Sequence, residues 1–180
     1  MTTIDPLATS SGYIAVVSIV CADTYIDCYY DHIQGKKLLG PEYGGDGSEV
    51  GRCSGTEDPI LAFPGHWAPN DLIFYDGDQF PERYREGAFI AFHGSWNRAP
   101  LEQKGFNVIF APFEYGRPVG DYEVFADSFA GAAPIEAPGD ARHRPMGLAE
   151  GLDGSLYVSD SVKGRIWRIV YADQAIEGRN

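Results

Sequence analysis

The sequence predicts an all-β fold, and three observations carry that expectation. Runs of four to eight residues rich in β-branched and aromatic types recur from residue 59 onward, each bounded by Gly, Pro, Asp or Asn. The composition, with 22 glycines, 12 prolines and 13% aromatic residues, favours short strands joined by tight turns. No stretch has the 3.6-residue periodicity of a three-turn amphipathic helix.

In chain order, the first apolar run is YIAVVSIV at 13–20. It reads either as a buried strand or as a signal-peptide core, although no Lys or Arg precedes it. Residues 34–55, QGKKLLGPEYGGDGSEVGRCSG, are glycine-rich and mostly polar and read as a long ordered loop. Strands are expected at PILAF (59–63), DLIFYD (71–76), GAFIAFH (87–93), FNVIFAPF (106–113) and DYEVFADSF (121–129). Three more are expected at MGLAE (146–150), SLYVSD (155–160) and GRIWRIVYA (164–172). PERYREGA (81–88) has room for one turn of helix at most. Asp153-Gly154 and Lys163-Gly164 read as turns between the last three strands. GAFIAFHGSWN…GFNVIFAPF and SLYVSDSVKGRIWRIVY share one grammar: apolar strand, polar break, alternating strand. Units of about 40–50 residues with four short strands are the pattern of propeller blades, and a two-sheet sandwich is the competing architecture.

Composition narrows the function. The 180 residues suffice for one ordinary domain, and 44% hydrophobic with 22% charged residues is a globular balance. A formal net charge of −12 repels phosphate backbones and argues against a nucleic-acid partner. No apolar run reaches the length of a membrane-spanning helix. Cys21, Cys28 and Cys53 show no CxxC spacing, which disfavours zinc. Cys28 and Cys53 flank the glycine-rich loop, so they read as a disulfide in an exported protein or as free buried thiols.

Three segments hold groups suited to a ligand. Arg142 and Arg144 stand two apart, a spacing that puts both guanidiniums on one face of an extended strand. Such a pair suits a ligand with several carboxylates, or each arginine pairs separately with a neighbouring acid. Pro145 cannot donate to a ladder and belongs on an edge strand, such as the innermost strand of a blade. His66 and Trp67 precede a strand, and the indole is either a stacking surface or a plug between sheets. In HGSWNR, His93 is a candidate acid or base, Trp96 a stacker, and Asn97 and Arg98 polar clamps. The GxSxG, HExxH, EF-hand and P-loop patterns do not occur.

Three ordered stretches carry a family resemblance: CYYDHIQGKKLLGPEYGG…VGRC, HWAPNDLIFYDGDQFPERYREGAFIAFHGSWNR and RPMGLAEGLDGSLYVSDSVKGRIWRI. Together they resemble the C-terminal half of soluble pyrroloquinoline-quinone (PQQ) dependent sugar dehydrogenases, the glucose/sorbosone dehydrogenase family. The resemblance spans 28–172, with an atypical segment at 1–27 and a tail at 173–180. It implies a six-bladed β-propeller, of which this chain would supply about three blades. It also implies a periplasmic or secreted quinoprotein that oxidises a sugar hydroxyl by hydride transfer to PQQ, with calcium as a further cofactor. The sugar and an electron acceptor would be its partners. Arg142 and Arg144 match the family's Arg-x-Arg that holds PQQ, and His66, Trp67, His93, Trp96, Asn97 and Arg98 fall where members line the pocket. Family members run to roughly twice this length, and the blades with the catalytic histidine have no counterpart here. TYID (24–27) stands where a Gly-Trp-Pro turn helps bind calcium. The expectation is therefore a partial dehydrogenase with little activity alone. The alternatives are a propeller interaction module, two copies pairing through open blade edges, or a lactonase-like propeller hydrolase.

Overall fold

The computed structural model describes residues 28–31, 34–56 and 60–172. Among them are ten strands in three antiparallel sheets, four short 3-10 turns and no α-helix. The chain divides into two compact units, Met1–Ala68 and Pro69–Asn180. YIAVVSIV and Cys21 lie outside the described residues.

In the first unit, β1 (Cys28–Asp31) and β2 (Lys36–Leu39) form a hairpin registered from Cys28↔Leu39 to Asp31↔Lys36. The turn is held by Asp31, whose Oδ1 accepts from the Gln34 amide at 2.9 Å. Leu38 and Leu39 are buried, and the Leu39 amide donates to the Glu49 carbonyl. The segment 34–55 is thus not wholly loop: β2 lies within it. Its two leucines make the inward end of a strand whose other two positions are lysines. Cys28 on β1 is joined by a disulfide to Cys53 in the 3-10 turn Gly51–Gly55. PILAF is not a strand: its described residues contribute a single bridge position at Ala62. Phe63 is nonetheless buried.

The second unit contains the remaining two sheets. Strands β3 (Pro69–Tyr75), β4 (Gly87–Phe92), β5 (Asn107–Glu114) and β6 (Arg117–Pro118) follow one another in the first sheet. Strand β7 (Glu123–Ala126) pairs with β5 beyond a bulge at Val108 and Ile109. Strands β8 (Pro145–Glu150), β9 (Leu156–Asp160) and β10 (Ile166–Ile169) form the second, in the order β10-β9-β8. Every residue of β4 is buried, which explains its continuous apolar sequence: a strand covered on both faces does not alternate. Strand β10 alternates exposed and half-buried positions, as a half-covered strand must. Pro145 opens β8, an edge strand, where its missing N–H leaves no gap in the ladder. The helical turn expected in 81–88 is the 3-10 turn Glu82–Tyr84.

An aromatic core fills the second unit. Tyr75, Phe80, Tyr84, Phe89 and Phe110 from the first sheet and its loops cluster with Leu156 and Val158 of β9. Phe89 meets Phe125 at 4.6 Å between ring centroids, and Tyr84 meets Phe110 edge-on at 5.1 Å. Polar bonds stitch the sheets at their margins. The Leu148 amide donates to Asp71 Oδ2 at 2.7 Å, the Asp76 amide to Glu150 Oε2 at 3.0 Å, and the Tyr75 hydroxyl to the Gly154 carbonyl at 2.7 Å. These contacts fix β8 beside β3 and so position the segments that precede β8 and follow β4.

Candidate functional site

Two polar segments meet at the end of β4. Chain residues 93–106 leave the strand as a loop that folds on itself. The Ser95 amide donates to the Lys104 carbonyl at 2.8 Å, and the Lys104 amide donates to Ser95 Oγ at 2.8 Å. That hydroxyl donates in turn to Gln103 Oε1 at 2.9 Å, so Ser95 and Gln103, both buried, satisfy each other. Gly94 sits at φ +88°, and a Cβ there would fall 2.0 Å from the Phe106 ring. Only glycine lets the backbone pass so close to that ring.

Arg144 locks the loop from the other side. Its side chain is 6% exposed. Nη1 donates to the carbonyls of Gly94 at 3.0 Å and His93 at 3.3 Å, and Nη2 donates to Pro138 at 2.8 Å. The guanidinium also lies 4.9 Å over the Phe106 ring. All its partners are neutral, and it makes no salt bridge among the described residues. Burial lowers its pKa from the ordinary arginine value. Arg142 is different: its side chain is exposed and runs past Gly131. The two arginines do not share a face. Strand β8 starts at Pro145, one residue after Arg144, so the two-residue strand period does not govern 142–144. One guanidinium turns inward to the carbonyls and the other turns to solvent.

Asp160 organises the same corner. Its side chain is fully buried and accepts from the Arg144, Val162 and Lys163 amides at 2.9, 3.0 and 2.9 Å and from His143 Nδ1 at 2.7 Å. Burial opposes its charge, but these donors outweigh burial and hold the carboxyl well below the usual range. His93 Nε2 lies 2.8 Å from Ser161 Oγ. Burial, reinforced by the Arg144 cation, pushes His93 below the ordinary histidine value, so it is neutral at pH 7.

Of the remaining residues expected at a site, Trp96 is 77% exposed and Asn97 is exposed. Arg98 is half-buried and donates from Nε to the Glu102 carbonyl at 3.0 Å, which closes its own loop. His66 and Trp67 are half-buried in the first unit, on a turn where His66 has φ 65°. His143, Asp160 and Ser161 were not expected. His143 stands between two arginines in the sequence, and Asp160 ends the expected strand SLYVSD. Its position before a turn, where a carboxylate caps free amides, was the available signal. Among the described residues no group of three or more His, Cys, Asp or Glu is placed to hold a metal ion. No helix among them is long and apolar enough to cross a membrane.

Known proteins resemble this chain in sequence and fold. An uncharacterized protein of Borreliella burgdorferi is 30% identical over 113 residues, 62% of this chain and 28% of its own. The pyrroloquinoline quinone-dependent pyranose dehydrogenase of Coprinopsis cinerea is 29% identical over 125 residues, 62% of this chain and 16% of its own. The iodide and calcium structures of the Trichoderma reesei Carbohydrate-Active Enzymes Family AA12 protein superpose with a TM-score of 0.56 at 25% identity. They cover 79% of this chain and 37% and 36% of their own. This chain therefore spans well under half the length of each of these relatives. The TrAA12-like family model matches residues 44–172, from the first unit's polar segment to the end of the second sheet, and the chain belongs to the TrAA12-like family.

Proposed function

We propose that this chain is part of a PQQ-dependent sugar dehydrogenase and that its 93–98 and 142–144 segments form a cofactor-facing rim. In this reading β3, β4, β5 and β7 are one four-stranded propeller blade and β8, β9 and β10 belong to the next. The relationship to a pyranose dehydrogenase that uses the quinone supports the reading. The observation that carries it is the local charge: a buried Arg144 bound only to carbonyl oxygens, with an exposed Arg142 beside it in sequence. In a chain of net charge −12, a guanidinium left without a carboxylate partner marks a place for an anion.

The donor set fits PQQ in part. Arg142 is free to approach a carboxylate of the cofactor as a bidentate donor. Arg144 does not fit direct contact, because both terminal nitrogens already serve backbone carbonyls. Its role is to supply charge and to hold the 93–95 backbone in place. Neutral His93 with Ser161, and Trp96 and Asn97 at the exposed tip, are the groups this rim offers a ligand. Bound PQQ would supply a quinone that accepts a hydride. Calcium belongs to the reading only through the family, with no ligand set assigned here. The sugar, an electron acceptor and a second copy joined through open blade edges are the partners it allows. The Cys28–Cys53 disulfide favours an oxidising compartment, periplasmic or extracellular.

Equilibrium dialysis of the 180-residue chain against PQQ tests the proposal. Binding that weakens about tenfold in Arg142→Ala, with thermal stability unchanged, is expected; a guanidinium–carboxylate contact is worth about that much. Equal binding by the variant would refute the assignment. Dye-linked sugar oxidation by the isolated chain with PQQ and calcium is expected to be weak, and robust turnover would overturn the partial-enzyme reading.

A further inference from the structure

A second surface lies at the opposite end of β4 from the rim. The strand runs from Gly87, opposite Pro112, to Phe92, opposite Asn107, and the rim follows Phe92. At the Gly87 end, Phe74, Glu86, Phe113, Glu114, Tyr115 and Gly116 line a groove of about 700 Å³. Phe74, on β3, is 49% exposed and meets Phe113 of β5 edge-on at 5.1 Å. The Phe113 amide donates to the Glu86 carbonyl at 2.9 Å, which holds Glu86 against β5. Glu114 and Arg117 pair across strands, so Tyr115 and Gly116 form a two-residue hairpin turn. Both have positive φ, 51° and 75°, the backbone that such turns prefer and that Asn-Gly usually supplies. Tyr115 instead puts a fully exposed aromatic side chain in the left-handed region. It contributes no burial to the fold, and its backbone conformation favours a smaller polar residue. The chain thus carries a tyrosine where folding alone favours asparagine.

The lining indicates the partner. Phe74, Phe113 and Tyr115 are aromatic, Glu86 and Glu114 are carboxylates, and no cation lines the groove among the described residues. Arg85 and Arg117 adjoin it in sequence without lining it. Aromatic rings edged by carboxylates attract an organic cation, through the ring faces and through charge-assisted hydrogen bonds. The net charge of −12 adds to that attraction. A small-molecule site buries roughly 70–90% of its ligand, and a groove walled by a fully exposed ring does not enclose one to that extent. An extended segment of another protein needs no such enclosure. Of the two cationic side chains, arginine fits better: its plane stacks on an aromatic ring, its edge forks onto a carboxylate, and it is more weakly hydrated than an ammonium. We propose that this groove docks an arginine-bearing segment of a partner protein, with the guanidinium between Tyr115 and the Glu86 and Glu114 carboxylates and an apolar neighbour on Phe74. The groove shares no residue with the quinone-facing rim, so neither reading depends on the other.

The test titrates the full chain, without PQQ, with the blocked peptide acetyl-Ala-Leu-Arg-Leu-Ala-amide while NMR follows the Tyr115 and Gly116 amides. Saturable shifts are expected, with binding about tenfold weaker in Tyr115→Asn and in Glu114→Gln. Glu136→Gln removes the same charge from an exposed position outside the groove and should bind as the parent does. Tyr115→Asn should melt at or above the parent temperature, because asparagine takes the left-handed backbone more readily. Shifts that never saturate, or binding that falls no further in the groove variants than in Glu136→Gln, would overturn the docking site. A lower melting temperature in Tyr115→Asn would give the tyrosine a role in the fold and overturn its assignment to a partner. Equal affinity for the same peptide with lysine in place of arginine would overturn the arginine assignment.

Discussion

Arg144 illustrates how one buried cation can shape a loop without meeting an acid. A guanidinium has five donors and no acceptor, and the carbonyls of 93–95 and 138 converge on it. Replacing it with methionine keeps bulk but leaves those carbonyls without a donor. The expected cost is about 3 kcal/mol, since hydrogen bonds to a charged group contribute about 1.5–3 kcal/mol each and are not additive. Urea melts should report that loss, and Arg144→Lys should recover only part of it, because an ammonium cannot span the same carbonyls. A loss under about 1 kcal/mol in Arg144→Met would contradict the clamp. Gly94→Ala should be comparably damaging, because φ +88° and the Phe106 ring at 2.0 Å both exclude a Cβ. This corner was only half legible in the sequence. The Arg-x-Arg pattern points to this corner, but the strand starts at Pro145 and the two side chains diverge. The strand expected at 146–150 already leaves 142–144 outside it, so the two-residue period cannot be applied to the arginines, and residue types alone do not say which of them turns inward.

Elements were more legible where hydrophobic runs were continuous. GAFIAF, FNVIFAPF and SLYVSD became β4, β5 and β9 because apolar strands between turn residues have few alternatives. The β1–β2 hairpin escaped because KKLL presents two lysines and two leucines, a pattern with no clear period. PILAF failed in the opposite direction: it has strand composition, but Phe63 is buried outside any strand. The hairpin depends on a covalent tie that composition left undecided between thiols and a disulfide. Cys28 and Cys53 are separated by 25 residues, and closing a loop of that size is worth about 3 kcal/mol in the chain-entropy model. Cys53→Ser should therefore lower the melting temperature of the first unit, and a reductant should lower the parent protein to the same value. Hydrogen exchange can read this locally: the Leu39 amide, bonded to the Glu49 carbonyl, should lose protection in the variant. Unchanged protection there would mean that Leu38 and Leu39 hold the hairpin by burial alone.

At the scale of the whole molecule, acid is the informative perturbation, because 26 acidic residues face 14 basic ones. Two opposing effects operate. Mild acidification relieves self-repulsion in a chain of net charge −12, which stabilises it. Groups whose folded pKa lies below its unfolded value do the reverse: their contribution is complete above the unfolded pKa and fades as pH falls through the folded one. His93 is such a group, with its loss beginning below about pH 6.5. Asp153 is another: its Ser155 hydrogen bonds and Arg168 lower it to about 2. Asp160 is a third, and its loss begins as pH drops below about 4. Repulsion acts on parent and variant nearly alike, so the difference between them isolates a single carboxylate. Asp160→Asn should cost about 2 kcal/mol or more at pH 7, because an amide nitrogen then faces amide donors that the carboxylate accepted. The gap in unfolding free energy between parent and variant should narrow as pH falls below about 4, since the parent alone must protonate this group. Denaturant melts at a series of pH values read the gap directly. If it remained constant into strong acid, the Asp160 network would hold its geometry without its charge, and the ionised carboxylate beneath Arg144 and His143 would lose its place in the proposed rim.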